Sequence, residues 1–292
     1  MIAGWPGMGN VAVDTVSYMR RKLNARLFAE INTKNLYVPE GVLVNRGSIS
    51  FPQPPSTLFH YRKNPPATFL EGTSQFHGHE AALLLRKVLD IAKQVNTEAI
   101  ITSAAFPVPM NHQDAPELYF ASNNASLSRD FRKTGLKPLK TGQISGLNGM
   151  LLGYAKTRGI DAACLLATIP QYTVGIPNPR AVIEVIDILA QLIDEEIDLT
   201  EIENSAEEMD KRLEAAEASI KDFMAYPPED ENNAGFPENE KVPGKIIKKI
   251  EKLFEEAKSS RQKAVKLKEE LDRWDLYPMY EDRFLDLFRK NH

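Results

Sequence analysis

Apolar residues recur along the first two thirds of the chain with two different periods. Between Asn10 and Leu23, the side chains of Ala12, Val16, Met19 and Leu23 fall on one face of a helix with Asn10 at the N-cap position. The run ARLFAEI (residues 25–31) follows at once as a strand, and residues 42–62, VLVNRGSISFPQPPSTLFHYR, break into short β-type runs separated by Asn45-Arg46-Gly47 and by prolines. That pattern predicts a meander of antiparallel hairpins. Helix-period HEAALLLRKVLDIAKQV (79–95) then leads into EAIITSAAF (98–106), and NGMLLGYAKTRG (148–159) leads into IDAACLLATIP (160–170). These last two strands are apolar throughout rather than alternating, which places both of their faces inside. The prediction is an α/β domain over residues 1–198, built as three layers, α/β/α, around a mixed central sheet and ending in the helix PRAVIEVIDILAQLI (179–193).

The last third changes period. Ile202, Ala206, Met209, Leu213, Ala216, Ile220 and Phe223 recur at alternating steps of four and three, a heptad seam within residues 199–226. Residues 227–243, PPEDENNAGFPENEKVP, read as an acidic, proline-rich linker that buries too little apolar surface to fold alone. A second seam runs Ile246, Ile250, Leu253, Ala257, Ser260, Ala264, Leu267, Leu271 and Trp274 inside a helical segment spanning 244–292. Two such helices can fold back as an antiparallel hairpin or pair between subunits, and the bland alternative is that both pack on the α/β body. The expected protein-interaction residues are Met209, Leu213, Ile220, Ile250, Leu253, Leu267 and Leu271.

Composition removes several functional classes. With 36 basic and 40 acidic residues the net charge is −4, so no overall positive field recruits nucleic acid or anionic lipid. No apolar run approaches the ~18 residues a bilayer requires, so no membrane span is expected. The single cysteine, Cys164, lies in the apolar run AACLLATIP; it excludes an intramolecular disulfide, reads as a buried thiol, and fits a reducing, cytoplasmic location.

The opening Gly4-Trp5-Pro6-Gly7-Met8-Gly9-Asn10 asks whether the chain cradles a phosphate. Its glycine order is G-x-x-G-x-G, neither the dinucleotide G-x-G-x-x-G nor a P-loop with its lysine, so a strand-to-helix turn is expected. Glu30, near the end of the second strand, stands about where a ribose-binding acid would fall and keeps the nucleotide reading open. His112, in a loop after an apolar strand, and Ser145, before Gly146, are candidate base and nucleophile, although SGLNG is not a nucleophile elbow. His77, His79, Glu80 and Asp114 lack any zinc-type spacing, and no metal or other cofactor is expected. Tyr172 closes the strand ACLLATI and carries no assigned role. The competing reading is thus a small-molecule hydrolase, phosphorylase or nucleotide-binding enzyme using Gly7, Gly9, Asn10, Glu30, His112 and Ser145 as ligand-binding residues.

Three separated stretches carry a resemblance: GWPGMGNVA at the start, GQISGLNGMLLGYAKTRGIDAACLLATIPQY in the middle and IPNPRAVIEVIDILAQLI before the seams. Together, over about residues 1–223, they resemble the proteasome assembly chaperone 2 family. The resemblance implies a fold similar to nucleoside phosphorylases used as a protein-binding scaffold, self-association into a homo-oligomer, proteasome subunits or another protein as clients, and no catalytic residue set. Two features depart from the family. The sequence ends Lys290-Asn291-His292 rather than in a hydrophobic-Tyr-any tripeptide, and Leu276-Tyr277-Pro278 is internal, so docking through such a tail is not expected. Only Met1, Ile2 and Ala3 precede Gly4, so the expectation is either a short first strand or a start that is late relative to the family.

Overall fold

The structure, a computed structural model, describes residues 1–225, 244–257, 261–274 and 276–287. The expected linker 227–243, Ser260 and the side chains of Ile220 and Phe223 lie outside the described residues. The chain divides into two compact units, Met1–Pro227 and Pro228–His292.

The first unit is built on an eight-stranded sheet. Its centre is four parallel strands in the order β6 (Ala67–Gly72), β1 (Ile2–Gly4), β7 (Ala99–Val108) and β10 (Asp161–Pro170). Beyond β6 lie β5 (Thr57–Arg62) and the edge strand β2 (Arg26–Glu30), both antiparallel to their neighbours; beyond β10 lie antiparallel β8 (Leu118–Ser122) and the two-residue β9 (Lys137–Pro138). The sheet is therefore mixed. β10 pairs with β7 over ten residues, from Asp161 opposite Ala99 to Pro170 opposite Val108, and is buried from Ala162 to Pro170, as its unbroken apolar run requires. A further pair, β3 (Leu43–Asn45) and β4 (Ser48–Ser50), forms a separate hairpin.

Helices cover both faces. On one face α1 (Val11–Lys22), α5 (Pro179–Leu192) and the start of α6 (Thr200–Ala225) share a core with β10, including Val16, Met19, Leu165, Val185, Leu189 and Ile202. On the other, α2 (Gly78–Gln94) and α4 (Gly146–Thr157) bury Leu84, Leu85, Leu147 and Leu151 against Trp5, Phe59 and Leu70. The nine-residue α3 (Ala125–Lys133) packs by Phe131 against Phe120 of β8, with ring centroids 5.3 Å apart. The predicted three-layer α/β/α fold is what forms. The first strand is short, three residues, yet it is central and fully buried. Gly4 lets it approach α1: a Cβ there would stand 2.3 Å from the Ala12 carbonyl oxygen.

Asn10 stands at the N-cap of α1 as expected, though its side chain makes no capping hydrogen bond; it serves by adopting a left-handed backbone, φ 51°, a conformation asparagine tolerates better than most residues. One local expectation needs correction. The second seam is not one helix. It divides into α7 (Gly244–Ala257) and α8 (Arg261–Arg273), which pack against each other and against α9 (Tyr277–Asp286). Ile250, Phe254, Leu267, Leu271 and Phe284 are buried in this unit's own core, and Leu253 is half-buried at its edge. Ile250, Leu267 and Leu271, three of the expected interaction residues, belong to that core.

Candidate functional site

At the carboxyl ends of β1, β6, β7 and β10 the loops enclose a crevice of about 500 Å³. This is where open α/β sheets place ligands. Pro6, Gly7 and Met8 form one wall; Phe106, Leu139 and Ile144 line others. No Asp, Glu, Lys or Arg lines it.

Two side chains hold the walls together. Asn148, buried in the first turn of α4, accepts from the Trp5 N–H at 3.0 Å through Oδ1 and donates from Nδ2 to the Trp5 carbonyl at 3.1 Å, taking the part of a neighbouring strand for one residue beyond β1. The Asn148 carbonyl in turn accepts from the Thr102 hydroxyl at 2.9 Å. Gln75 clasps the same loop from the other side: Nε2 donates to the Pro6 carbonyl at 2.5 Å, and Oε1 accepts from the Leu147 N–H at 2.9 Å. Neither residue stands out in the sequence. The only signal for Asn148 is a poor helix former beside the buried Leu147, Leu151 and Ala155.

The opening glycines are tied into this frame by their backbone. Gly9 has φ 62°, and a Cβ there would meet Asn178, Ile169 and Val11 at 3.2–3.4 Å. Its N–H donates to the Val174 carbonyl at 3.1 Å, and its carbonyl accepts from the Asn178 N–H at 2.9 Å. The Asn10 N–H turns back to the Gly7 carbonyl at 3.0 Å. Those groups are engaged with the loop after β10 and with the turn itself.

The other candidates scatter. Ser145 is exposed at the rim, at the N-cap of α4, with no capping bond, and His77 lines the same crevice. Glu30 is exposed on β2, separated from β1 by β5 and β6; in a dinucleotide unit the second strand lies beside the first and parallel to it, so the ribose-acid geometry does not arise. His112 is not in the crevice. It is buried under α6, with Nδ1 at 3.1 Å from the Tyr172 hydroxyl and 3.3 Å from Glu217 Oε1. The His112 N–H also donates to the Tyr172 oxygen at 2.8 Å, and burial raises the Tyr172 pKa, keeping the phenol protonated. His112 and Ser145 therefore do not meet as base and nucleophile. Asp114 accepts from the Asn111 N–H within its own turn. Burial drives the Cys164 pKa up to about 12, so the thiol stays protonated and unreactive. Among the described residues, no three His, Cys, Asp or Glu side chains converge to hold a metal ion, and no helix is long and apolar enough to cross a membrane.

α6 lies along this face of the first unit. Ile202 and Ala206 are buried, Met209 and Leu213 half-buried, and Ala216 exposed. Arg180 holds Asp210, with Nε 2.9 Å from Oδ2, and Gln113 donates to Glu214 at 2.6 Å.

What the sequence did not single out is the surface of the β3–β4 hairpin. Arg46 (φ 48°) and Gly47 (φ 81°) make its tight turn, with Val44 opposite Ile49 and Leu43 opposite Ser50. Leu43, Val44, Ile49 and Phe51 are 57%, 70%, 71% and 69% exposed.

The PAC2 family profile matches residues 1–217. The chain belongs to the PAC2 family. Solved structures similar to it include an archaeal proteasome activator from Pyrococcus furiosus (23% identity, 74% of this chain and 91% of that one, TM-score 0.63). A proteasome-assembly chaperone homologue from Mycobacterium tuberculosis shares 18% identity over 78% of this chain and all of that one, TM-score 0.62. A PAC2 family protein from Streptomyces avermitilis shares 20% over 73% and 93%, TM-score 0.60. At these identities the likeness carries the PAC2 fold and nothing finer. No curated protein matches the sequence.

Proposed function

We propose that this PAC2 protein is a self-associating, protein-binding scaffold of the assembly-chaperone type, working on proteasome subunits or another multisubunit client. The observation that carries the reading is the apolar hairpin arm. A two-stranded ribbon is at best marginal in water on its own, and this one leaves four large apolar side chains more than half exposed. Such a surface gains by being covered, and a protein surface is what covers a ribbon. The related proteins described as an assembly-chaperone homologue and a proteasome activator support the same reading. Light scattering on the full chain tests it: the wild type is expected above the mass of one chain, and Val44→Asp, at a position with no buried neighbour to disturb, is expected to lower that mass. A wild type that stays a single chain at every concentration, and does not co-purify with defined proteasome α subunits, overturns the proposal.

A further inference from the structure

We infer that the β3–β4 arm of one copy seats in the crevice of a second copy, so that the chain associates head-to-tail. The inference rests on the self-association proposed above and adds its geometry.

The arm needs cover on two sides. Side chains alternate across a strand, so Val44 and its partner Ile49 lie on one face of the ribbon and Leu43 on the other. A twofold contact of arm upon arm would bury one face and leave the other in water. A concave receptor covers both, and the crevice at the ends of the parallel strands is concave and apolar.

Charge narrows the choice of receptor. From Val42 to Phe51 the arm carries one charge, Arg46, and that residue is at the turn. The crevice walls carry no Asp, Glu, Lys or Arg, and their single imidazole, His77, is exposed, so an uncharged ribbon enters without stranding a carboxylate or ammonium in an apolar contact. The hollow of about 290 Å³ between α1 and α6 fails on this ground, because Asp14, Arg21 and Glu201 line it. Size agrees as well: about 500 Å³ is room for the few apolar side chains of a ribbon tip. Gln143 and Ser145, exposed at the rim, place polar groups where the free edge of the ribbon would pass. Because arm and crevice are different surfaces, the contact is heterologous, and successive copies close into a ring or continue as a filament.

Single-cysteine mixing tests this. Cys164 is fully buried with its pKa pushed up to about 12, so it stays silent towards mild oxidation. Ile49→Cys and Gln143→Cys are made separately, one with a mass tag, checked by circular dichroism for the wild-type melt, and oxidised alone and mixed. The expected result is a disulfide-linked pair containing one of each in the mixture, little linkage in either protein alone, and a ladder of higher species from the double variant. If light scattering shows an oligomer but Ile49→Cys links to itself, or no mixed pair forms, the head-to-tail geometry is overturned while self-association stands. If the protein is a single chain throughout, both fall.

Discussion

Replacing Asn148 by alanine is expected to loosen the loop that forms one wall of the crevice. The side chain satisfies two buried backbone groups of one residue, the Trp5 N–H at 3.0 Å and the Trp5 carbonyl at 3.1 Å. Alanine leaves both without a partner beneath a fully buried indole. An unsatisfied buried polar group costs about 1–3 kcal/mol, so the pair sets an expected loss of about 2–6 kcal/mol. Asn148→Asp is expected to fall in the same range, since a carboxylate still accepts from the N–H but faces the Trp5 carbonyl with no donor. The assay is urea unfolding followed by Trp5 fluorescence in a Trp274→Phe background, which leaves Trp5 as the one remaining tryptophan. A shifted midpoint with unchanged slope reports stability. A loss under about 1 kcal/mol would show that water or a moved loop satisfies Trp5, and would refute the role given to Asn148.

Asp14 supplies a pH dependence. Burial, and then the nearby Glu71 carboxylate, raise its pKa from 3.8 to about 6. The folded state therefore holds this proton more tightly than the unfolded chain, and the stability that protonation contributes is present below about pH 4 and lost as pH rises through about 6. Asp14→Asn is expected to raise the melting temperature relative to wild type at pH 7 and above, with the difference shrinking towards pH 4; a difference independent of pH refutes the assignment. In the second unit, Leu267 is fully buried, and Leu267→Ala is expected to cost about 2–5 kcal/mol in the transition read by Trp274. The Trp5 transition should not move, and a matching shift there would show that the two units unfold as one.

The layers of the fold were legible because their signal is local: the apolar runs of β7 and β10 and the helix periods of α2, α4 and α5 each lie in one continuous stretch. β8 was not, since five residues carry too little periodicity, and β1 was legible only as a short strand, because its central place comes through pairing with β6 and β7 far along the chain. The turn role of Gly9 followed from glycine order, whereas its partners, Val174 and Asn178, could not be read from it. Asn148 and Gln75 stayed invisible for the same reason: each acts on backbone groups about 70 to 143 residues away. The arm was visible as a hairpin but not as an exposed one, because exposure depends on what the rest of the chain leaves uncovered.

The first heptad seam shows why period alone does not assign a partner. A stripe with one apolar residue every 3.5 positions fits a second helix of a coiled coil and fits a docking groove on a folded body equally well. In this chain the body takes the first half: Ile202 and Ala206 are buried, then cover thins through Met209 and Leu213 until Ala216 is exposed. Polar residues off the stripe make that attachment specific. Arg21 reaches Glu201, Arg180 reaches Asp210, Gln113 reaches Glu214 and His112 reaches Glu217, so successive turns of α6 are pinned to α1, to α5 and to the loop after β7. An unattached coiled-coil helix would have no use for acids matched one by one to the body. At Ala216, the last stripe residue whose side chain is described, the body no longer covers the seam, so the stripe attaches α6 mainly through Ile202 and Ala206 and the polar pairs carry the attachment further along.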